Sequence, residues 1–341
     1  MKKIYYIGFS LTTLIACFNV LHTQFCINKE TEQVDKNLFI VRPDKASTNH
    51  NNNFLLFSHG LSCYQGCVGG IMDGLGNKMP CYSFNYPDAT EEGRTNLEFS
   101  SLAQTNEIAA LSEAADRAWL HFDLTYSESD STALLVGHGI SRGASSWITT
   151  LAYLSQEQLN NIGAIILESP FDEVMTIVKH MSNMVCLPCF KRLGHKIITM
   201  SAKQYDPDGI TPIKAIKKIK RKDIPILIVC SKEDVIVPWY STARLYLRFL
   251  RTGHTHVYLL VLEKGDHALL YNNAEYRNVL HQFYKTYNIT HDSSETVSNQ
   301  TELMQLKPSA NFVQQGLSDK KSITWKQRKH AFNFMLNFLY G

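Results

Sequence analysis

The spacing of one serine and two glycines is suited to nucleophilic chemistry. Residues 139–143 read Gly-Ile-Ser-Arg-Gly, a match to G-x-S-x-G; they follow an apolar run that ends at Val136 and precede a helical stretch that begins at Ser145. A sharp turn between a strand and a helix exposes a serine hydroxyl at the helix N-terminus, where the helix dipole favours negative charge. Small residues at both ends of the motif leave room for neighbouring backbone. The pattern predicts that Ser141 is a nucleophile.

Two later loops each carry a residue that could activate this serine. Asp234 follows an apolar run that ends at Cys230, and His267 lies in a glycine turn after a run that ends at Leu262. The loops after parallel strands converge at the carboxyl edge of a sheet. A carboxylate on one ring nitrogen of a histidine fixes the tautomer, so that the other nitrogen can accept the serine proton. The chain order Ser, Asp, His predicts Ser141 as nucleophile, His267 as general base and Asp234 as the residue that orients the base.

Other acidic residues and histidines nearby are alternatives for these roles. Glu168 ends an apolar run and occupies a place that could supply the acid, and Glu233 is the sequence neighbour of the favoured acid. His59 and His138 are interpreted as structural residues, the second of them buried and hydrogen-bonded. Asp266 is interpreted as a solvated turn residue.

The elements that must position these residues are read from short apolar runs. Runs of four or five residues that do not alternate with polar ones are typical of strands covered on both faces. Stretches between them, at 101–122, 145–154 and 242–250, carry apolar residues at helical spacing. This alternation predicts an α/β fold with a doubly wound, mostly parallel sheet. The predicted strands are Leu38 to Val41, Phe54 to Phe57, Tyr82 to Tyr86, Ala133 to Val136, Ala164 to Leu167, Ile226 to Cys230 and Tyr258 to Leu262.

Two segments depart from this alternation and set the expected domain organisation. Residues 171–222 are rich in Met, Lys and Cys, interrupt the sheet and are predicted to form a lid insertion within an α/β domain over residues 31–287. The stretch 288–341 opens with a polar tract, a predicted linker. Its last apolar residues, between Trp325 and Tyr340, predict a docking helix.

The N-terminus predicts export. Lys2 and Lys3 precede an apolar run that is too short to span a bilayer comfortably, so residues 1–22 are interpreted as an export signal or a membrane anchor. Residues 14–17, Leu-Ile-Ala-Cys, resemble the bacterial lipoprotein signal-peptidase site, in which Cys17 would carry the lipid. A signal anchor and a signal peptide cut further downstream stay open. The expected location is periplasmic, membrane-anchored or extracellular, and membrane association would occur through this N-terminus.

Composition agrees with a packed, exported domain. A hydrophobic fraction of 44% and a charged fraction of 19% argue against wholesale disorder and against a multi-span membrane protein. The net charge of +3 is small for 341 residues, so nucleic acid is not expected as a partner. Eight cysteines suit an exported chain, in which thiols can pair, and the sequence leaves their pairing open.

The ordered motifs resemble the α/β-hydrolase superfamily over about residues 54–287. Within it, the resemblance is to serine hydrolases near the prolyl-oligopeptidase and dienelactone-hydrolase branch. One departure is that the usual Gly-His-Ser opening is stretched here over residues 137–141. The motifs that carry the resemblance are Phe57-Ser58-His59-Gly60, residues 139–143, Leu167-Glu168-Ser169-Pro170, residues 233–238 and Gly265-Asp266-His267.

The resemblance implies a chemistry. A serine nucleophile would act through an acyl-enzyme, with no metal and no organic cofactor. The backbone N–H groups of Leu61 and Arg142 would form the oxyanion hole that stabilises charge on the carbonyl oxygen. The expected partner is a small-molecule carboxylic ester or related acyl compound. Two alternatives stay open: an exported serine peptidase that acts on short peptides, and a non-catalytic binding protein on the same fold.

Overall fold

The structure is a computed structural model that describes residues 31–42, 53–61, 63–68, 79–89, 96–126, 133–184, 196, 198–289, 303, 306–308 and 313. Several predictions lie outside these residues: the export signal over residues 1–22 with Cys17, the polar linker, and the C-terminal helix between residues 325 and 340. Within the described part of the chain, no helix combines the length and the hydrophobicity that crossing a membrane requires.

An eight-stranded sheet forms the centre of the molecule, in the order β1-β2-β4-β3-β5-β6-β7-β8. The six strands from β4 to β8 in this order run parallel, and β1 and β2 add an antiparallel edge. The predicted α/β class with a mostly parallel sheet is therefore confirmed. The strands are β1 (Glu32–Asp35), β2 (Leu38–Val41), β3 (Asn53–Ser58), β4 (Cys81–Phe84), β5 (Leu134–Ile140), β6 (Ile162–Glu168), β7 (Ile226–Ser231) and β8 (Val257–Leu262).

Seven α-helices accompany the sheet in the described residues. The predicted crossover helices are present, although the first begins at Thr105 and extends to Tyr126. The helices are α1 (Thr105–Tyr126), α2 (Arg142–Leu151), α3 (Gln156–Asn160), α4 (Val174–Met184), α5 (Pro212–Ala215), α6 (Trp239–Arg251) and α7 (Ala274–Thr286), with short 3-10 turns at Gln65–Val68, Leu97–Phe99, Ile216–Lys218 and Leu270–Asn272.

The core strands are apolar throughout because helices cover both faces of the sheet. Phe54 and Leu56 of β3 belong to an apolar layer that they share with residues of α1, α2 and α6. Leu55 and Phe57 point the opposite way, into a layer with α7. Every residue of α2 is buried, so this helix lies inside the first layer. The helix that follows Ser141 is thereby held rigidly.

The segment over residues 171–222 leaves the sheet after β6 and returns at β7. It contributes α4 and α5, and a third apolar cluster joins α4 to the loop after β7. The members of that cluster are Ala103, Phe171, Val174, Val178, Ala202, Tyr205 and Val237. A role for this segment as a lid stays a prediction.

Candidate active site

The turn between β5 and α2 presents Ser141 at the carboxyl edge of the sheet. Ser141 has φ 55° and ψ −112°, a positive φ that is rare for a residue with a side chain. Its backbone N–H donates to the carbonyl of Glu168 on the neighbouring strand at 2.7 Å. The strain is thus held by the sheet and by the buried helix α2, and such strain is characteristic of functional sites.

The glycines of the G-x-S-x-G motif make this turn sterically feasible. A Cβ on Gly143 would lie 2.0 Å from the carbonyl oxygen of Ser58 at the end of β3. A Cβ on Gly139 would lie 2.6 Å from the backbone nitrogen of Ala144. Both contacts are with backbone, which cannot swing aside, so neither position accepts a larger residue without displacing a strand or a helix. The expected requirement for small residues therefore has a steric cause.

Ser141, His267 and Asp234 lie in one hydrogen-bonded line. His267 Nε2 is 2.9 Å from Ser141 Oγ, and His267 Nδ1 is 2.7 Å from Asp234 Oδ2. All three residues are buried. Asp234 lies on the loop after β7, and His267 lies on the loop after β8. In this arrangement Nδ1 carries the proton toward the carboxylate, which leaves Nε2 able to take the proton of the serine hydroxyl. The structure thus brings together the three residues singled out for catalysis.

The carboxylate of Asp234 is held on both oxygens. The backbone N–H groups of Ile236 and Val237 each donate to Oδ1 at 2.9 Å, and Ser169 Oγ donates to Oδ2 at 2.9 Å. Three donors besides His267 therefore fix the orientation of this carboxylate. Ser169 was not predicted to contribute to the site. Its signal in the sequence is its place directly after β6, beside the strand that precedes Asp234.

The two expected oxyanion donors are the backbone N–H groups of Arg142 and Leu61, one in α2 and one after β3. The first backbone bond into α2 runs from Ser145 N–H to the Ser141 carbonyl, so the N–H of Arg142 lies in the first turn, where helix donors have no intrahelical partner. Leu61 follows Ser58, whose carbonyl packs against Gly143 of the same turn. A role for these N–H groups as oxyanion donors stays a prediction.

The alternative residues are directed elsewhere. Glu168 contacts His138 Nε2 at 2.7 Å and not His267. His59 is buried and hydrogen-bonded to backbone, while Glu233 and Asp266 are exposed. His138 is likewise buried, and it lies in the interior of β5.

Helix α4 packs close to the acid loop. Burial lowers the pKa of His180 on this helix; the charge of Asp234 and a hydrogen bond with the Val235 backbone act in the opposite direction. The ring of His180 also lies edge-on to Tyr240, with 6.1 Å between the ring centroids. The start of the 171–222 segment therefore lies beside the residue that orients His267.

Within the described ranges, no three His, Cys, Asp or Glu side chains converge in a way that could hold a metal ion.

Comparison by sequence does not identify a family. No known family model matches the chain. Over 93 residues it is 33% identical to the uncharacterized protein YqkD of Bacillus subtilis (strain 168), and that match covers 27% of each protein. The chain thus aligns with about a quarter of the length of this relative.

Comparison by structure identifies the fold. The chain resembles an acylaminoacyl peptidase of Pyrococcus horikoshii (TM-score 0.55, 13% identity, 84% of this chain and 45% of that one). It also resembles an esterase of Pyrococcus furiosus (TM-score 0.51, 15% identity, 76% and 91%) and a puromycin-hydrolyzing peptidase of Mycobacterium tuberculosis (TM-score 0.56, 12% identity, 79% and 41%). The matches span less than half the length of either peptidase. These likenesses show that the chain has the α/β-hydrolase fold, as its motifs predict.

Proposed function

We propose that the protein is a serine hydrolase that cleaves a carboxylic ester or a related acyl bond of a small molecule through an acyl-enzyme. The observation that carries this proposal is the line from Asp234 through His267 to Ser141 Oγ, with contacts of 2.7 and 2.9 Å. The strained turn at Ser141 and the full set of donors on Asp234 support it. So do the esterase and peptidases that share the fold.

The geometry supports a two-stage reaction. His267 Nε2 takes the proton of Ser141 as Oγ bonds to the substrate carbonyl carbon, and the carbonyl oxygen becomes an oxyanion. The N–H groups of Leu61 and Arg142 would stabilise that charge. His267 then gives its proton to the leaving oxygen or nitrogen as the bond to the carbonyl carbon breaks. In the second stage His267 deprotonates water, which attacks the acyl-enzyme, and Ser141 regains its proton.

Labelling with a fluorophosphonate tests this proposal. The wild-type protein is expected to form a covalent adduct on Ser141, and Ser141→Ala is expected to remove both the label and ester hydrolysis. Ser155→Gly is the matched control, because Ser155 is an exposed helix cap whose replacement by glycine costs about a few tenths of a kcal/mol. Persistence of the label in Ser141→Ala, or its absence from folded wild-type protein, contradicts the proposal. The second outcome favours a non-catalytic binding protein.

A peptidase is the second candidate, favoured by the two peptidases among the proteins of similar fold. Rates on p-nitrophenyl esters of increasing chain length, compared with rates on aminoacyl and prolyl anilides, separate the two. A higher kcat/KM on an anilide than on every ester assigns the peptidase. Export by residues 1–22 remains part of the proposal and is tested by fractionating cells that make the full chain and its Cys17→Ser variant.

A further inference from the structure

The side chain of Arg142, the residue after the nucleophile, is buried beneath the active site. A buried cation is costly unless charged and polar groups surround it. Burial acts to lower the pKa of Arg142, but the charges of Asp88 and Glu107 more than offset this effect. The pKa is raised overall, so the guanidinium stays charged. Its contacts are Asp88 Oδ2, Glu107 Oε1 at 3.6 Å, Ser100 Oγ at 3.4 Å, the carbonyl oxygen of Gly60 at 3.3 Å and the ring of Tyr86, whose centroid lies 4.4 Å from the guanidinium carbon.

These contacts join three segments that are distant in the sequence. Gly60 follows β3, Asp88 follows β4, and Glu107 lies in the first turn of α1. Glu107 in turn accepts from Ser100 Oγ at 2.8 Å and from the backbone N–H of Ser101 at 3.1 Å. The guanidinium, with its five donors in a rigid fork, therefore connects the carboxyl ends of two strands to the start of a helix.

The contact with Gly60 bears on the reaction because of peptide geometry. The carbonyl of Gly60 and the N–H of Leu61 belong to one planar, trans peptide unit, so the two groups point in opposite directions. Fixing the direction of the carbonyl therefore fixes the direction of the N–H. Hydrogen bonds to the carbonyl also polarise the peptide and strengthen its N–H as a donor.

Two donors fix that carbonyl. Arg142 Nη2 lies 3.3 Å from the Gly60 oxygen and His59 Nδ1 lies 2.8 Å from it. The tautomer of His59 is set by the backbone N–H of Tyr86, which donates to Nε2 at 3.2 Å and leaves the proton on Nδ1. Both side chains are buried, so water does not compete with the Gly60 carbonyl for these two donors.

We infer that Arg142, together with His59, is a positioning residue that holds the Gly60–Leu61 peptide so that the Leu61 N–H faces the oxyanion. This inference rests on the proposed function. The contribution is made to the transition state, because the charge on the carbonyl oxygen develops there and not in the bound ester. Losing the guanidinium therefore lowers kcat and leaves KM nearly unchanged.

The test compares Arg142→Met and Arg142→Lys with wild type, counting active sites by fluorophosphonate titration. The backbone N–H of residue 142 persists in both variants, so a loss of rate reports on the side chain. We expect kcat per titrated site to fall on the order of 100-fold in Arg142→Met, as for removal of one oxyanion donor, with KM changed less than about threefold. Arg142→Lys keeps the charge without the fork and is expected to recover part of the rate.

Arg221→Met is the matched control. Arg221 also donates to main-chain carbonyls, those of Leu159 at 2.8 Å and Ile162 at 2.7 Å, but at the opposite end of β6 from the active site. This variant should lose stability and keep its kcat per titrated site.

The outcomes separate the inference from the proposed function. If wild type labels and hydrolyses but both Arg142 variants keep full kcat per titrated site, the inference is wrong and the proposed function stands. A rise in KM with unchanged kcat also overturns it. If wild type neither labels nor hydrolyses, both fail. Should Arg142→Met not fold, the kcat of Arg142→Lys decides.

Discussion

Two buried histidine–carboxylate pairs lie at the same edge of the sheet, and their contact distances are identical. His267 and Asp234 are 2.7 Å apart, and His138 and Glu168 are 2.7 Å apart. All four side chains are at most 5% exposed. The pairing of a histidine with a carboxylate, the burial and the distance therefore do not distinguish the pair assigned to catalysis from the other.

The difference lies in what surrounds each pair. The second ring nitrogen of His267 faces Ser141 Oγ at 2.9 Å, whereas the second ring nitrogen of His138 has no hydrogen-bond partner among the described residues. Asp234 is hydrogen-bonded on both oxygens, whereas one oxygen of Glu168 has no partner there. A histidine–carboxylate pair can therefore act as a general base toward a nucleophile only when that nucleophile lies within hydrogen-bonding distance of the second ring nitrogen.

Replacing the two histidines gives the largest expected contrast. His267→Asn removes the base, so kcat should fall on the order of 10⁴ to 10⁶-fold, while the protein stays folded. His138→Asn should keep kcat per titrated site within about tenfold. Its unfolding free energy should instead fall by about 3 kcal/mol, because Glu168 loses its buried partner. Ester hydrolysis and urea unfolding measure the two quantities; equal losses of kcat would abolish the distinction.

Replacing the two carboxylates gives the next contrast. In Asp234→Asn the amide favours the wrong tautomer of His267, and kcat should fall on the order of 10³ to 10⁴-fold. Glu168→Gln should change kcat less than about tenfold and cost about 1 to 3 kcal/mol of stability, as expected for a weakened buried hydrogen-bond network. A kcat loss in Glu168→Gln that matches that of Asp234→Asn would assign the acid to Glu168 and refute the geometry.

A change at Tyr276 is expected to have the smallest effect on kcat, and its effect on stability depends on pH. Its hydroxyl donates to Glu168 at 2.6 Å, and burial, followed by the charge of Glu168, raises the pKa of Tyr276 well above 10. Above pH 10 a tyrosine in the unfolded chain releases its proton while Tyr276 in the folded chain keeps it, so wild-type stability should fall as the pH rises.

Tyr276→Phe should lose about 1.5 to 3 kcal/mol at neutral pH, as expected for a hydrogen bond to a charged group. Its stability should fall less steeply than that of wild type above pH 10. Its profile of kcat/KM against pH should match that of wild type, because Tyr276 contacts Glu168 of the pair that is not assigned to catalysis. A displaced profile would couple this pair to the reaction.

The strands could be predicted where burial on both faces leaves an unmistakable run of apolar residues, as in β3 and β7. Strand β1 escapes this rule because it is an edge strand of polar, mostly exposed residues, with sequence Glu-Gln-Val-Asp. Helix α1 begins later than its periodicity indicates, because the Glu107 carboxylate binds the N–H groups of Ser101 and Leu102 and holds them outside the helix.

The residues of the candidate site likewise fall into those that the sequence indicates and those that only the fold brings together. Ser141, Asp234 and His267 could be singled out because each follows its own strand in a recognisable turn. The partners of Arg142 could not, since Asp88 and Glu107 reach it only through the order of strands in the sheet. Ser169 is intermediate: it lies in one of the motifs that carry the family resemblance, but its bond to Asp234 depends on β6 and β7 being neighbours.

The position of Gly143 limits how the proposed hydrolase could be engineered toward new substrates. A Cβ at this position of α2 would lie 2.0 Å from the carbonyl oxygen of Ser58, so the identity of residue 143 is fixed by the close approach of α2 to the end of β3. Variants with a larger residue at position 143 are therefore expected to disrupt the packing of α2 against β3 and to lose the folded structure.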